Sequence, residues 1–348
     1  MTVRIGILGA GFIARYHAMQ LQLADEPNEI VAVFDPDRQR AEAFCADEGG
    51  AVAASAAEVV ERSDAVFVCT WTAAHAEGVR LVTDAGRALI CEKPFDTDLD
   101  GARAIVEMVE RSGVVDMVGL VLRSSPALLA MREVLRDPDV GRVMNVVFRD
   151  DQYLPTQGMY ASSWRGDAAL AGSGTLLEHS IHDVDILEWL IGDVASVGAL
   201  QSHVHGIEGI EDVVSVLARF DGGATASLSS IWHDVLSRPS QRRIEVFCER
   251  AVATLEGEYF GPIRVQRTDG ETLLDGDELV QWLVDRGVPL ASAEQEFLVA
   301  VRRGMDGEDV PRLRPDVRDA LRAHQLVDAM YRSARDGGTV VQVPDRSA

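Results

Sequence analysis

Hydrophobic residues in the first 122 positions form short runs that alternate with longer amphipathic stretches. The runs lack helical spacing and are rich in β-branched residues, as expected of strands that are buried on both faces. They cover Arg4–Leu8, Ile30–Phe34, Ala65–Cys69, Ala88–Cys91 and Val115–Val121. The stretches between them have helical character, up to Ala24, at Glu42–Glu48, up to Asp84 and at Leu99–Ser112. This alternation predicts the α/β class, with a doubly wound parallel sheet and right-handed crossovers.

The pattern changes after residue 122, where several strand-like runs follow one another without helices between them. Strands are predicted at Val143–Arg149, Gly198–His205, Val213–Arg219, Thr225–Trp232, Arg242–Phe247, Val252–Glu256 and Pro262–Arg267. Helices are predicted at Ala127–Arg136, Leu177–Ile191, Ala291–Gly304 and Pro315–Ala334. Alternating polar and apolar residues in Thr225–Trp232 indicate that one face of the sheet is covered. We therefore expect an α/β domain with a parallel sheet over residues 1–122 and an α+β domain with a mainly antiparallel sheet over residues 123–348.

The net charge of the chain limits which partners it can bind, and the spacing of its cysteines indicates its cellular compartment. The chain of 348 residues is long enough for two cores, and its 33 basic and 56 acidic residues give a net charge of −23. This balance argues against nucleic acid and anionic membranes as partners. No apolar run approaches the length of a membrane span. The four cysteines show no C-x-x-C spacing, which favours reduced thiols in a cytoplasmic protein.

The first predicted strand runs directly into Gly9-x-Gly11-x-x-Ala14 and then into a helix. In this spacing the first glycine permits a tight turn, and the second lets the backbone approach a pyrophosphate at the helix N-terminus. Ala14 is a small residue in place of the third glycine. Asp35, at the end of the second strand, is the acid expected to bind an adenosine ribose. Together these features predict a Rossmann dinucleotide-binding domain.

The identity of the dinucleotide follows from the charge near the ribose. The carboxylate of Asp35 would repel a 2′-phosphate, which favours NAD over NADP. Arg38 and Arg40 lie close enough in sequence to weaken this preference.

Lys93 is the only lysine of the chain, whereas arginine occurs 32 times. A solvated surface cation can be either residue, but a site that needs a compact ammonium with a movable pKa cannot use a guanidinium. Lys93 follows an apolar strand and precedes Pro94. On composition alone two interpretations stay open: a residue retained for chemistry, or a chance survivor on the surface.

With these residues the chain resembles the Gfo/Idh/MocA family of nicotinamide-dependent oxidoreductases. The likeness extends over nearly the whole chain and includes the Gly9–Gly11 loop, Thr70 to His75, Glu92-Lys93-Pro94, Glu178 to Asp185 and the late helix Ala320–Ala334. It implies a Rossmann domain joined to a domain with a large open sheet, which in this family commonly serves oligomerisation. It also implies sugars, cyclitols and related polyols as substrates.

Two positions depart from the family pattern and bear on the substrate. Trp71 stands where the family usually has a proline, and its indole could stack on the cofactor or narrow the pocket. Glu178 stands where the family usually has an aspartate, and it is one methylene longer.

Candidate catalytic residues follow from the chemistry of alcohol oxidation, which needs a base, a positive group for the developing alkoxide and a fixed nicotinamide. Glu178 and His182 are spaced i, i+4, so on one helix their side chains would point the same way. We assign His182 as general base on oxidation and general acid on reduction. Lys93 would stabilise the oxyanion or exchange the proton itself, and both roles stay open. Glu178 would bind a neighbouring hydroxyl or orient His182.

The other candidate residues complete the predicted sites. Cofactor contacts are expected from Gly9, Gly11, Phe12, Ile13, Asp35, Arg38, Thr70, Trp71, His75, Glu92 and Lys93, and substrate contacts from Lys93, Arg123, Trp164, Glu178, His179 and His182. Asp185 is a further candidate near the substrate. Competing interpretations are a solvated Glu–His pair, a capping indole, surface arginines and a metal site at the two histidines, although hydride transfer with a lysine present needs no metal.

The sequence thus favours a cytoplasmic NAD(H)-dependent oxidoreductase that acts on a secondary alcohol or ketone of a sugar, cyclitol or related polyol. A dimer or tetramer formed through the open sheet is expected. Two alternatives use the same scaffold: a redox-neutral, glycosidase-type enzyme that uses NAD transiently, and a non-catalytic NAD-binding regulator.

Overall fold

A five-stranded parallel sheet organises the N-terminal part of the chain in the computed structural model, which describes residues 1–344. Its strands are β1 (Val3–Leu8), β2 (Asn28–Phe34), β3 (Ala65–Val68), β4 (Ala88–Cys91) and β5 (Asp116–Val118), in the order β2-β1-β3-β4-β5. The helices are α1 (Phe12–Leu23), α2 (Arg38–Glu48), α3 (Ala56–Arg62), α4 (His75–Asp84) and α5 (Leu99–Ser112). The doubly wound α/β fold is confirmed, and α3 is the one helix of this region that the sequence pattern did not predict.

Both faces of this sheet are covered, which explains why its strands are apolar throughout. On one face Ile5, Phe67 and Ile90 pack with α1 and α2. On the other face Val66 and Leu89 pack with α3, α4 and α5. All four residues of β3 are buried, although they belong alternately to the two cores.

The first structural unit also contains residues 291–321, far along the chain. Helix α10 (Ala293–Met305) places Phe297 and Leu298 in the same core as α1. The rings of Phe67 and Phe297 meet edge to face, with centroids 5.8 Å apart. The division of the chain therefore differs from a single boundary near residue 122: the first unit is discontinuous.

The second unit contains Leu122–Ala168, Gly172–Leu290 and the described residues from Arg322 onward. Its sheet has nine strands: β6 (Val143–Tyr153), β7 (Val194–Ser202), β8 (Val213–Phe220), β9 (Thr225–His233), β10 (Gln241–Cys248), β11 (Ala251–Gly257), β12 (Ile263–Arg267), β13 (Gly270–Leu274) and β14 (Val341–Gln342). The order is β13-β12-β11-β10-β6-β9-β8-β7-β14, and β6 and β9 run parallel while the other pairs are antiparallel. The predicted mainly antiparallel sheet is confirmed; β13 and β14 were not predicted.

One face of this sheet is covered by helices, and the strands alternate accordingly. Val146, Phe148, Val216 and Leu228 belong to the covered face and share a core with residues of four helices. The helices of this part of the chain are α6 (Pro126–Arg136), α7 (Ala168–Ala171), α8 (Ile181–Ile191), α9 (Gly276–Val284) and α11 (Val317–Arg335), and the division between the two units falls within α7 and α11. Helix α9 was not predicted.

The opposite face of the nine-stranded sheet carries exposed apolar side chains. Val147 of β6 and Leu217 of β8 are 39% and 69% exposed. Both lie opposite Ser227 of β9, so they flank it in one row across three adjacent strands.

The predicted continuous helix Leu177–Ile191 is interrupted. Thr175–His179 forms a short π-helical turn, and α8 begins only after Ser180. The interruption coincides with contacts to the sheet, where the buried Ser180 hydroxyl lies 3.1 Å from the Asp150 carboxylate and 2.7 Å from the Ser230 hydroxyl. Glu178 and His182 therefore belong to two different helical segments, and the i, i+4 argument for a shared direction does not hold.

No helix among residues 1–344 combines the length and apolar character that a membrane crossing requires.

Candidate active site

The glycine loop joins β1 to α1 and leaves space above the helix N-terminus. Gly9 has a φ of +91°, and a Cβ there would lie 2.6 Å from the carbonyl oxygen of Cys69. A Cβ on Gly11 would meet no atom within 4 Å. The N-cap residue Gly11 provides no side-chain cap, and a helix N-terminus of this kind favours an anion. Of the other two predicted loop residues, Phe12 is exposed and Ile13 is half-buried.

Asp35 lies at the end of β2, beside this loop. One carboxylate oxygen accepts a hydrogen bond from the Ala10 N–H at 2.9 Å, and the other accepts one from the Asp37 N–H at 2.8 Å. Arg38 is the first residue of α2, where its exposed guanidinium pairs with Glu42 at 2.8 Å. The charge of Arg38 is therefore paired with an acid of the same helix.

His75 connects two loops at the carboxyl edge of the sheet. Its Nδ1 lies 2.9 Å from the carbonyl oxygen of Pro94, and its Nε2 lies 3.1 Å from that of Thr70. Burial lowers the pKa of His75, against the effect of these carbonyl groups, so the neutral ring donates one hydrogen bond at a time. Thr70 and Trp71, which follow β3, are half-buried.

Glu92 and Lys93 directly follow β4. Glu92 is 4% exposed and Lys93 is half-buried. The Lys93 N–H donates to the Glu92 carboxylate at 3.2 Å, and the Lys93–Pro94 peptide bond is cis. The predicted cofactor residues therefore follow the carboxyl ends of β1 to β4, which is where open α/β sheets bind ligands.

A matched pair of variants tests the glycine loop. We expect Gly11→Ala to leave the stability unchanged, because its Cβ meets only open space, and to weaken NAD binding roughly 10- to 100-fold by crowding the pyrophosphate. Gly9→Ala should instead destabilise the fold, because of its positive φ and the adjacent Cys69 carbonyl. Thermal unfolding and NAD titration measure the two effects. Normal NAD affinity in Gly11→Ala would contradict the assignment.

In the second unit a buried carboxylate orders the glycine-rich run before α8. Glu211 is 1% exposed and accepts hydrogen bonds from the N–H groups of Gly174 at 2.7 Å and Leu176 at 3.0 Å. The Tyr331 hydroxyl also donates to it, at 2.7 Å. A Cβ on Gly174 would overlap the Glu211 carbonyl, so only glycine fits this close approach. These contacts fix the turn that carries Glu178.

Glu178 is itself buried, and its carboxylate pairs with Arg165 at 2.7 Å. The Arg165 guanidinium lies 4.9 Å from the centroid of the Trp164 ring. The predicted substrate residues Trp164 and Glu178 are thus joined through Arg165, and Glu178 is not a solvated surface group.

His179 and α8 lie over a buried charge cluster. His179 Nε2 lies 2.8 Å from the Asp150 carboxylate. Arg242 donates to Asp183 at 2.8 Å, to Glu258 at 2.8 Å and to Asp150 at 3.4 Å. Burial raises the pKa of Asp183 well above its ordinary value, and the Asp150 charge acts in the same direction. Burial opposes the ionised form of Asp150 as well, but Arg242 and His179 hold the pKa of Asp150 low. The pKa values of the two neighbouring carboxyl groups are thus shifted in opposite directions, upward for Asp183 and downward for Asp150.

Arg123 and Asp185 form a second buried ion pair. The two nitrogens of the Arg123 fork lie 2.8 and 2.5 Å from the two carboxylate oxygens of Asp185. Removal of one partner from such a pair costs roughly 3–5 kcal/mol, because it leaves a buried charge. His182, the second residue of α8, is half-buried.

Among residues 1–344 no group of three or more His, Cys, Asp and Glu side chains is arranged to hold a metal ion.

Five buried residues escaped sequence reasoning: Asp150, Glu211 and Arg242 of the contacts above, and His17 and Glu294, which pair with each other in the first unit. A usable signal existed for three of them. His17 occupies the same buried stripe of α1 as Ala14, Ala18 and Leu21. Asp150 and Arg242 continue the covered-face alternation of β6 and β10 with polar residues. For Glu211 and Glu294 we find no comparable local signal.

A glycine loop with an acid after the next strand, and a lysine at the same sheet edge, define a nicotinamide-dependent oxidoreductase built on a Rossmann domain. The chain belongs to the GFO/IDH/MocA family. Residues 3–120 match its "Oxidoreductase family, NAD-binding Rossmann fold" domain, and residues 128–254 match its C-terminal domain. The resemblance inferred from the sequence is thereby confirmed, and the protein is an NAD-dependent dehydrogenase or reductase. The open space over Gly11 and the glycine N-cap of α1 fit this cofactor.

The relatives extend over almost the whole chain. Inositol 2-dehydrogenase of Rhizobium meliloti (strain 1021) is 29% identical over 345 residues, which cover 97% of this chain and 98% of that protein. Inositol 2-dehydrogenase of Cereibacter sphaeroides is 31% identical over 311 residues, 87% of each chain. Among solved structures, levoglucosan dehydrogenase in complex with NADH and L-sorbose has a TM-score of 0.84, 19% sequence identity and full coverage of both chains. This last likeness concerns the fold.

Proposed function

We propose that the protein transfers a hydride between nicotinamide and a secondary alcohol or ketone of a sugar, cyclitol or related polyol. The observation that carries the proposal is the position of Lys93, the sole lysine, half-buried directly after β4 at the sheet edge of the dinucleotide loop. The names of the two similar bacterial proteins, both inositol 2-dehydrogenases, support a polyol as the substrate.

The proposed reaction divides the work between a cation and a base. The Gly9–Gly11 loop and Asp35 would hold NAD, which would supply the hydride acceptor for the carbinol carbon, and the hydroxyl proton would leave to a protein base. Lys93 binds the substrate oxygen and stabilises the negative charge that develops on it. His182 takes the proton on oxidation and returns it on reduction.

The remaining substrate contacts follow from the charged groups around this helix. Glu178, held by Arg165, offers a carboxylate oxygen to a second hydroxyl of the polyol. His179, oriented by Asp150, binds a further hydroxyl, and Arg123 supports the site through its pair with Asp185. Hydroxyls bound by buried polar groups give strong discrimination, because an analogue without them leaves these groups unpaired.

Asp35 sets the preference for NAD in this proposal. We expect Asp35→Asn to shift the ratio of kcat/KM values toward NADP by roughly tenfold or more, because the charge that repels a 2′-phosphate is lost. Asp37→Asn is the matched control: Asp37 is an exposed neighbouring acid that caps α2 through the Gln39 N–H, and its ratio should not change. Steady-state kinetics with both cofactors measure the ratio. An unaltered preference in Asp35→Asn would contradict this role.

A screen of inositols, aldoses and anhydrosugars with NAD and NADP, followed by absorbance at 340 nm, tests the proposed function. Net NADH formation with a cyclic polyol is the expected result. Turnover of a glycoside without net NADH would favour the redox-neutral alternative. Tight NAD binding without turnover of any polyol would favour the regulator.

We also propose a homo-oligomer, dimer or tetramer, formed through the uncovered face of the nine-stranded sheet, where Val147 and Leu217 are exposed. The mass of the protein in solution tests this assembly. The four cysteines are free thiols, which supports the proposed cytoplasmic location.

A further inference from the structure

The strongest observation outside the assigned site is a histidine held between two carboxylates. His17, on the buried face of α1, is 1% exposed. Its Nδ1 lies 2.7 Å from Glu294 of α10, and its Nε2 lies 2.9 Å from Glu92, both at a carboxylate oxygen. An ordinary core histidine is satisfied by one donor and one acceptor, whereas this ring lies between two carboxylates and satisfies both only when it is protonated and donates from both nitrogens.

Glu92 is held in place by three contacts. One of its oxygens accepts the hydrogen bond from His17, and the other accepts the Lys93 N–H at 3.2 Å. The carboxylate also lies against Gly119, where a Cβ would overlap it. The Glu92 carboxylate therefore links the backbone N–H of Lys93 to the His17 ring on α1.

Charge explains why this arrangement is specific to a protonated histidine. Burial opposes protonation, but the hydrogen bonds and charges of Glu294 and Glu92 outweigh it and raise the pKa of His17 to about 9. The ring is packed edge to face against Phe67 and Tyr16, so solvent cannot replace the imidazolium. A neutral side chain in its place would leave two carboxylates facing each other without a cation.

We propose that His17 is a positioning residue for the reaction: by holding Glu92, it fixes Lys93 relative to the helix of the dinucleotide loop. The inference rests on the proposed function of Lys93. It adds that α1 both receives the pyrophosphate at its N-terminus and, five residues after Phe12, sets the place of the catalytic cation. A misplacement of about 1 Å at a reacting group can lower a rate by ~100-fold.

The experiment compares His17→Gln with Leu21→Ala, a large-to-small change on the same buried stripe of α1 that touches no charge. We expect His17→Gln to lower kcat roughly 10- to 100-fold with little change in NADH affinity, and to change the pH–rate profile. Leu21→Ala should lose stability but keep its kcat and its pH–rate profile. Equal kcat values for the two variants would show that His17 acts only in the core, and would overturn the proposal.

The single lysine provides a readout that does not depend on activity. Reductive ¹³C-methylation labels only Lys93 and the amino terminus, so the NMR titration of the Lys93 methyl groups follows that side chain alone. We expect His17→Gln to shift this resonance and its titration midpoint, and Leu21→Ala to leave both in place. If His17→Gln fails to fold, Glu294→Gln replaces it, since it removes one of the two bonds that hold the ring. An unchanged Lys93 resonance in the folded variant would overturn the proposal.

Combination with Lys93→Arg separates this inference from the proposed function. If His17 acts through Lys93, the double variant His17→Gln/Lys93→Arg should lose no more turnover than Lys93→Arg alone, within about threefold. Full turnover in Lys93→Arg itself would refute the proposed function. A slow Lys93→Arg with multiplicative loss in the double variant would refute only the role of His17.

The pH dependence of unfolding gives one more check. The charged groups that contact His17 are Glu92 and Glu294, and burial together with these same carboxylates raises the pKa of the Cys69 thiol well above its ordinary value. Because the pKa of His17 rises from 6.5 to about 9 on folding, the stability it contributes is complete below pH 6.5 and is lost as the pH rises through 9. His17→Gln should lack this decline. The same slope in the variant would show that His17 carries no charge and would overturn the proposal.

Discussion

Lys93→Arg is expected to lower kcat by ~10³-fold while it retains the fold and the NAD affinity. Arginine preserves the positive charge, but its planar guanidinium cannot place a single N–H donor where the ammonium lies, and it cannot take part in proton exchange. Loss of one oxyanion donor typically costs 10²–10³ in rate, and loss of proton transfer costs a similar factor. Single-turnover kinetics with the substrate found in the screen measure the effect, and fluorescence titration with NADH measures cofactor binding.

The matched control for this variant is Arg142→Lys, the reverse exchange at an exposed pair with Glu249. It should leave kcat unchanged, since a solvated ion pair accepts either cation. A second lysine also tests whether the chain tolerates that residue elsewhere. Near-normal kcat in Lys93→Arg would refute the role of Lys93.

His182→Ala is expected to abolish hydride transfer, with a loss of roughly 10²–10⁴ in kcat, while NADH binding is retained. The removal of the base leaves only water to accept the hydroxyl proton. The pH–rate profile should lose the rise that reflects deprotonation of the base, and the residual rate should increase with hydroxide concentration. Both quantities come from initial rates measured between pH 5 and 10.

His203→Ala serves as the control for this prediction. His203 is an exposed loop histidine whose Nδ1 lies 3.0 Å from the Ile210 carbonyl, and its removal should change neither kcat nor the profile. If His182→Ala loses rate but keeps the wild-type profile, the histidine orients substrate and Lys93 becomes the proton-exchanging group. A wild-type rate would remove His182 from the mechanism.

In the first unit up to residue 121, local patterns were sufficient for the strands and for every helix except α3. Each strand of the parallel sheet is a short apolar run, and α5 begins at Leu99 and ends at Ser112 as predicted, between Asp98 as cap and Gly113 in the left-handed region. The glycine loop and Asp35 could be recognised because all of their determinants lie within one βαβ unit.

Contacts between distant residues account for what the sequence pattern missed. The break at Ser180 depends on Asp150 and Ser230, 30 and 50 residues away, while the local sequence retains helical spacing. The same applies to Glu178, which looks like a solvated partner of His182 in sequence but is buried against Arg165. Likewise, the raised pKa of His17 depends on Glu294, 277 residues later, which completes the pair of carboxylates with Glu92.

The discontinuity of the first unit affects how the protein can be made. During synthesis the parallel sheet emerges long before α10, so the surface that Phe297 and Leu298 later cover stays bare until the ribosome has passed residue 301. The ion pair between His17 and Glu294 also cannot form until this late stage of synthesis, although Glu92 is made early. A fragment that ends at residue 121 would retain the whole nucleotide-binding fingerprint. It would expose the apolar side chains of the core that Phe297 and Leu298 share with α1. Such a fragment is a poor choice for expression, whereas a circular permutant that joins residues 291–321 to the amino terminus would complete this core early.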